Sequence, residues 1–445
     1  LIFQIGISHG DIMAKKAKYG PEFSLTLIYA IDCCNLSASI IGTSRREGQE
    51  QRMSISAHHI SDDRGWSMSH WSAQHVADIA KRPLPAAPFI SAQDVVSVVP
   101  DQDLWDLWPL QNADGSVTQI AGGELWMVLS APRLPDPGLR HDIARTRMLF
   151  RKDDAWIDCG LLFPDDLNPG TREWSGSARF NPETDEVTAY FTAAGRRSDP
   201  KPSFEQRLFQ TTGKLDLSGK LPTISNWSVA RPLVVNDGSM YVDVGVDQGV
   251  PGNIKGFRDP YWFRDPADGN AYILFTGSLP GSRSQHNGVV GLAVAHSAMG
   301  EDGFRLLPPI ISADGVCNEM ERPHLVLRDG LYYLFWSSQN SVFAPDGPKG
   351  PSGLYGMVAP ALAGPYTPLN GTGLVLANPA GEPRQAYCWQ VLDNLEVYSF
   401  VDHWGLAGRD IFAEPRLQRD QFGGTIAPVL KISIDGTTTQ LLGPA

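Results

Sequence analysis

RDPYWFRDPADGNAYILFTGS (residues 258–278) and ERPHLVLRDGLYYLFWSS (residues 321–338) share one layout. Each opens on charged residues before a proline, continues as an apolar run, turns at Asp-Gly and returns on an aromatic-rich segment. Glycine supplies the positive φ of a tight strand connection, so each stretch predicts a β-hairpin, and the repeat predicts the inner hairpins of propeller blades. A third opening, WDLWPL (residues 105–110), again puts a carboxylate and a proline at the start of such a unit. Proline at the first position of a strand costs no ladder hydrogen bond, and the innermost strands of a propeller converge on its central channel. Asp106, Asp259 and Glu321, far apart in sequence, are therefore expected to point into one pocket.

Outward from these hairpins the pattern stays strand-like, at residues 124–130, 147–162 with a break at Asp153-Asp154, 187–193, 272–275, 324–335 and 426–434. Asp-Gly pairs recur at 114–115, 237–238, 268–269, 329–330 and 435–436, and helical periodicity is scarce. The 44 glycines and 34 prolines lack a collagen period and suit many short strands joined by turns. The fold class is all-β.

With 42% hydrophobic and 19% charged residues the chain can bury a large core. Its formal charge of −12 repels phosphate backbones and anionic lipid, and no Lys/Arg cluster overcomes that. Nucleic acid and membrane are excluded as partners, and a neutral substrate is easier to accommodate. Cys33, Cys34, Cys159, Cys317 and Cys388 form no CxxC pair and no metal-ligand spacing with histidine, so no zinc site is expected.

Residues 1–65 read differently. Lys15, Lys16 and Lys18 precede a partly apolar stretch at 23–42 that Asp32 interrupts, a degenerate signal-peptide pattern. This extension is expected to be disordered, signal-like or an artefact of the reading frame, and a signal-like leader would place the protein outside the cytoplasm, extracellular or periplasmic. The catalytic domain is expected to span residues 66–445.

At its three openings the sequence resembles glycoside hydrolase family 68, the levansucrases, inulosucrases and related β-fructofuranosidases. The resemblance continues in family order through EWSGSARF (173–180), FRDP (257–260), ERPH (321–324), GPYTPLNGTGLVL (364–376), QAY (385–387) and GGTIAPVLKI (423–432). Trp71, in SHWSAQHVADI, resembles the family's domain entrance. The resemblance implies a five-bladed β-propeller with a funnel-shaped central pocket, and a retaining enzyme that moves fructosyl from sucrose to water, sucrose or fructan.

Retention requires a nucleophilic carboxylate on one side of the anomeric carbon and a protonated carboxyl near the leaving oxygen. The resemblance assigns Asp106 as the nucleophile and Glu321 as general acid and base, with a pKa expected above that of an exposed Glu. Asp259 is assigned to hydrogen-bond the fructosyl hydroxyls as oxocarbenium charge develops. Arg258 would hold the sugar and carboxylates in register, with Glu319 and Arg322 setting the acid's balance. Trp105, Trp174, Ser175 and Tyr387 match substrate-contacting positions.

Two departures qualify the carry-over. Polymer-forming members carry Arg or His after the ERPH hairpin, where this chain has Gln339, a neutral amide that implies hydrolysis and short products. Gram-positive members bind a structural calcium beside the acid/base, where this chain has Asn318 in place of an acidic ligand, so no calcium and no other cofactor is expected. A Cys317–Cys388 disulfide is open, because their neighbours Glu321 and Tyr387 are placed in one pocket. Two other functions compete: a related glycosidase acting on fructans or arabinosides, which would lack the WDxWP and EWSGS pair, and a non-catalytic sugar-binding propeller, which would be free to lose Asp106 and Glu321.

Overall fold

The structure, a computed structural model, describes residues 66–250 and 252–445, and the backbone course of three strands before them. Residues 1–65 and 66–445 are separate units. In the first, Ser24–Asp32, Asn35–Arg46 and Gln49–Ile55 pair antiparallel in that order. The rest of that unit, and with it the expectation of a leader-like or disordered extension, lies outside the described residues.

Residues 66–445 build a five-bladed β-propeller. Inside to outside, the first blade runs Gln102–Gln111, Gly123–Pro132, Arg145–Lys152, Ala155–Leu161, and the second Arg172–Asn181, Glu186–Ala194, Gln206–Asp216, Thr223–Ser225. Their innermost strands touch in parallel at Ala178–Leu110 and Arg179–Gln111, which joins the two blades into one ten-stranded sheet. The third blade is Phe257–Arg264, Ala271–Ser278, Gly288–Ala295, Phe304–Ser312. The fourth is Glu321–Arg328, Leu331–Ser338, Gly353–Ala359, edged by Thr367–Pro368 and Leu374–Ala377. The fifth is Ala386–Val391, Glu396–His403, Leu430–Asp435, Thr438–Pro444, with Phe422–Ile426 also on Glu396–His403.

Blade packing explains why the strands read as continuous apolar runs rather than alternating ones. In Ala271–Ser278, Ala271, Ile273 and Phe275 pack with Tyr190 and Leu208 of the second blade. Tyr272 and Leu274 face the other way, onto Leu325 and Leu334 of the fourth. Both faces are dry, so both parities must be apolar. The expected strand at 426–434 is divided instead: Phe422–Ile426 ends, Ala427-Pro428-Val429 intervenes, and Leu430–Asp435 begins. Pro428 has no N–H for the ladder.

A propeller must also close, and here the last blade meets the first through a buried charge pair. Asp103, with no exposed side-chain surface, accepts from both terminal nitrogens of Arg419 at 2.7 and 3.0 Å. Arg133 lies 3.5 Å from the same carboxylate. Gly424 passes directly over it: φ is +55°, and a Cβ there would lie 2.6 Å from Asp103 Oδ1. The second glycine of GGTIAPVLKI is thus required by the seam.

Gly424→Ala is expected to destabilise the propeller by ~2 kcal/mol or more, combining left-handed strain with overpacking against a carboxylate. Denaturant titration checks this; a change below about 0.5 kcal/mol, the scatter of neutral surface substitutions, would mean that the seam relaxes freely.

Candidate active site

Every innermost strand is irregular near its start, and residues at or beside these irregularities line the channel. Register shifts occur between Trp105 and Leu107, Trp174 and Gly176, Arg258 and Tyr261, Glu321 and His324, and Tyr387 and Gln390. The residues so displaced are Asp106, Ser175, Asp259, Arg322 and Cys388. Four of them have positive φ: Asp106 48°, Asp259 62°, Arg322 50° and Cys388 54°. A β-bulge adds one residue to one strand and re-aims its side chain, at a cost of order 1–3 kcal/mol for a non-glycine residue held in this region. The prolines adapt to the same bends: Pro260 and Pro323 lie within bulges and Pro109 lies late in its strand, rather than at the strand starts expected of them.

Backbone N–H groups in and just beyond the bulges are satisfied by hydroxyls from neighbouring strands. Asp259 N donates to Thr192 Oγ1 (3.0 Å), Trp262 N to Ser177 Oγ (2.9 Å), Arg322 N to Thr276 Oγ1 (3.2 Å) and Trp389 N to Ser337 Oγ (3.0 Å). Each bond crosses from one blade to the next. Gly176, following the second bulge, is obligatory because a Cβ there would lie 1.8 Å from Tyr190 O.

The eleven catalytic and substrate-contacting candidates from the sequence line one cavity of about 370 Å³: Trp105, Asp106, Trp174, Ser175, Arg258, Asp259, Glu319, Glu321, Arg322, Gln339 and Tyr387. Ser175 Oγ donates to Asp106 Oδ2 at 2.7 Å. Asp259 Oδ2 accepts from Thr276 Oγ1 (2.9 Å) and Arg322 N (3.2 Å). One terminal nitrogen of Arg258 donates to Glu319 Oε2 (2.6 Å) and Glu321 Oε1 (2.9 Å), and its Nε lies 3.6 Å from Asp259. Tyr387 donates its hydroxyl to Glu321 Oε2. Arg322 turns away, donating to Leu107 O at 2.7 Å with its guanidinium 5.6 Å over the Trp108 ring.

Burial and like charge shape the protonation of this cluster. Burial pushes the Asp259 carboxyl up to about 6; Arg258 opposes the shift, and Glu321 and Asp106 add to it. Glu319 is likewise raised, by burial first, against the pull of Arg258 and with the Glu321 charge adding to the rise. Burial also works against the Arg258 cation, but Glu319, Glu321 and Asp259 outweigh it and hold the guanidinium charged. The Tyr387 phenol is lifted far above its ordinary range by burial and by Glu321, so it remains a donor.

Sequence reasoning missed the loop that roofs Trp105. Arg140 is buried there, 5.3 Å from the Trp105 ring and 4.5 Å from that of Phe422, and its charge is felt by Asp402 and Asp106. His141 stands edge-on to Trp105 at 5.6 Å and accepts the Trp174 indole N–H at its carbonyl. These residues come from RLPDPGLRHD, which has no strand period and reads as a turn. Asp402, Phe400, Phe204 and Cys388 also line the cavity. The Cys317–Cys388 disulfide does not form. Both are free thiols: Cys317 bonds Glu319 O at 3.2 Å, and Cys388 bonds Asp106, with burial and the Asp106 and Glu321 charges raising its pKa.

The profile of the levansucrase/invertase family of glycoside hydrolases, family 68, matches residues 60–289 and 284–442. Levansucrase LscA of Pseudomonas savastanoi pv. glycinea is 31% identical over 395 residues, spanning 80% of this chain and 88% of its own. A levansucrase of Zymomonas mobilis is 32% identical over 360 residues, spanning 75% and 80%. An inulosucrase from Halalkalicoccus jeotgali solved with kestose superposes with a TM-score of 0.78 at 34% identity, over 85% of this chain and 96% of that one. The β-fructofuranosidase catalytic domain of Microbacterium saccharophilum K-1 follows at 0.73 and 25% identity, over 84% and 91%.

Asp259 supplies a test that needs no substrate. Its carboxyl moves from 3.8 to about 6 on folding, so the native state holds the proton more tightly and loses stability as pH rises through that window. Asp259→Asn is expected to be more stable than the wild type at pH 7.5 by up to about 3 kcal/mol, with the difference shrinking towards pH 4. Thermal melting across this range checks it; a gap that widens on acidification would reverse the assignment.

Proposed function

The chain belongs to glycoside hydrolase family 68, the levansucrase/invertase family, and on that premise we propose that it cleaves sucrose with retention, through a fructosyl-enzyme on Asp106. The observation that carries this reading is the meeting of Asp106, Asp259 and Glu321, from three blades, in one cavity, with Arg258 bridging Asp259 and Glu321 and Ser175 bonded to Asp106. Family membership makes the protein a sucrose-acting glycoside hydrolase or fructosyltransferase.

Each step has a residue suited to it. Asp106 attacks the anomeric carbon of the fructosyl unit with one oxygen while Ser175 restrains the other. Glu321 gives a proton to the departing glucosyl oxygen, with Arg258 and Tyr387 fixing its two oxygens. Positive charge develops on the fructosyl ring, and Asp259, held by Thr276 and the Arg322 amide, is placed to strengthen its hydrogen bonds to the ring hydroxyls at that moment. In the second half Glu321 takes a proton from the acceptor, whose oxygen then displaces Asp106. Trp105 and Trp174 offer apolar faces to sugar C–H groups.

The acceptor decides the product. Gln339 lines the cavity just beyond the fourth blade's inner hairpin and accepts from Ser341 Oγ at 3.3 Å. A neutral amide grips acceptor hydroxyls less firmly than a cation. Hydrolysis and short fructooligosaccharides are therefore favoured over long levan.

Asp106→Asn is expected to lower glucose release from sucrose by several orders of magnitude while leaving the fold intact. Retention of more than about a tenth of wild-type turnover would sink the nucleophile assignment. Gln339→His and Gln339→Arg are expected to lengthen the products at an unchanged cleavage rate. Free fructose, free glucose and product size, followed over a range of sucrose concentrations, decide it; unchanged product length in both variants would place acceptor selection elsewhere.

A further inference from the structure

Behind the wall of the cavity lies a second polar centre to which the mechanism assigns nothing. Lys255, only 2% exposed, directs its ammonium at three oxygens: Gln285 O at 2.5 Å, Asn287 Oδ1 at 2.9 Å and Asn318 Oδ1 at 3.5 Å. Gln285 and Asn287 belong to the connection between the second and third strands of the third blade, and Asn318 to the segment entering the fourth. One cation therefore ties together three stretches of chain at the joint between blades.

The tie continues into the active site. With its oxygen turned to the ammonium, Asn318 presents Nδ2 to Ile254 O at 2.9 Å and to Glu319 Oε1 at 3.2 Å. The other oxygen of Glu319 accepts from Arg258, and the same nitrogen reaches Glu321. The path from ammonium to acid/base is thus Lys255, Asn318, Glu319, Arg258, Glu321, with every link a hydrogen bond. Lys255 also accepts at its own carbonyl from Gln206 Nε2 (2.7 Å), whose oxygen takes the Phe257 amide beside Arg258.

This is the segment where the family resemblance implies a calcium in some members. Calcium takes six to eight oxygens, carboxylates among them. Here the three oxygens are neutral and an ammonium already points at them, so these residues do not fit a divalent ion.

We infer that Lys255 is a positioning residue, a built-in monovalent cation that fixes Asn318 and, through Glu319 and Arg258, holds the acid/base Glu321 in place. The inference rests on the role proposed above for Glu321. An ammonium on a tether supplies charge and three donors without dependence on metal supply, and its removal leaves an oxygen-lined cavity suited to a small cation.

The test is Lys255→Ala, with Lys255→Met as a variant that fills the same space without charge. Both are expected to lower kcat for sucrose about 10- to 100-fold, the range for removing a partner that orients a working ligand, with a smaller change in KM. Lys255 acts on Glu319, so loss of the positive charge raises the proton affinity of Glu319 and moves the basic limb of kcat/KM to higher pH. Lys255 itself also feels Asp247 and Glu319, and His286 lies within its field. The carboxyl pair faces Cys317, Arg258, Asp259, Tyr387 and Cys388, with Asp106 and Arg322 acting in turn on Asp259 and Cys388, all unchanged in the variants. Methylammonium is expected to restore Lys255→Ala about tenfold, and tetramethylammonium, too large for the cage, to restore nothing.

An unchanged kcat and basic limb in both variants overturns the inference, as does a loss that methylammonium leaves untouched. If neither variant folds, Asn318→Ala cuts the relay with the ammonium retained and removes the Nδ2 donor that favours the charged form of Glu319, so an upward limb shift is expected from that lost bond; an unshifted limb counts against the relay. Wild-type turnover is measured first: failure to release glucose from sucrose brings down the function itself, whereas normal turnover with indifferent Lys255 variants removes only Lys255.

Discussion

Apart from the short parallel contact between the first two blades, an innermost strand here is hydrogen-bonded along one edge only, and its side chains alternate between two neighbouring blades. At the channel a bulge interrupts that alternation in every innermost strand, and the site is built from the displaced residues and the in-register residues beside them. Displacing Asp106, Ser175, Asp259 and Cys388 from the ladder brings them to the cavity, whereas on the fourth blade the displaced Arg322 directs its guanidinium back to Leu107 and Trp108 and the in-register Glu321 enters the site. The bulges persist because the freed backbone groups find partners: hydroxyls of Thr192, Thr276 and Ser337 reach across to the next blade. A small polar residue in an otherwise apolar second strand is therefore part of the machinery, one layer out.

Bringing acids to one axis creates an electrostatic problem that Arg258 resolves. Asp259, Glu319 and Glu321 all lie within 3.6 Å of its guanidinium nitrogens. The planar fork can serve several oxygens at once, which an ammonium in the same place could not do with equal geometry. The balance is incomplete, because Asp259 and Glu319 remain raised above ordinary carboxyls. That residual discomfort is useful: a carboxylate poorly solvated in the empty site gains most when positive charge appears beside it.

Much of this was legible in the sequence, for identifiable reasons. The RDP and ERPH hairpins repeat a layout, and repetition with Asp-Gly turns announced blades; the ordered family resemblance then named the carboxylates, and the structure gathers every residue so named into one cavity. The bulges were not legible, because a bulge leaves no periodic trace, and the prolines within two of them read as strand starts. Arg140 and His141 escaped because a loop has no period to be read. The possible disulfide failed for a related reason: sharing a pocket through neighbours does not bring two sulfurs together, and Cys317 faces Ser338 while Cys388 faces Asp106.

The site is divided between two kinds of support, with consequences for what can vary. Asp106, Asp259, Glu321, Ser175 and Tyr387 stand on innermost strands, braced on both faces by packed blades. Gln339, His141, Asp142, Phe204 and Gly252 come from connections between strands. Residues on packed strands hold geometry to the fraction of an ångström that bond cleavage requires, and moving one disturbs two blades. Residues on connections can change without a cost to the core. Chemistry at the anomeric carbon is thus tied to the part of the fold that cannot change cheaply, whereas the choice of acceptor is left to the part that can. Closely similar propellers can therefore share one cleavage step and diverge in product, and the acceptor contact proposed above, Gln339, lies on a connection rather than a strand.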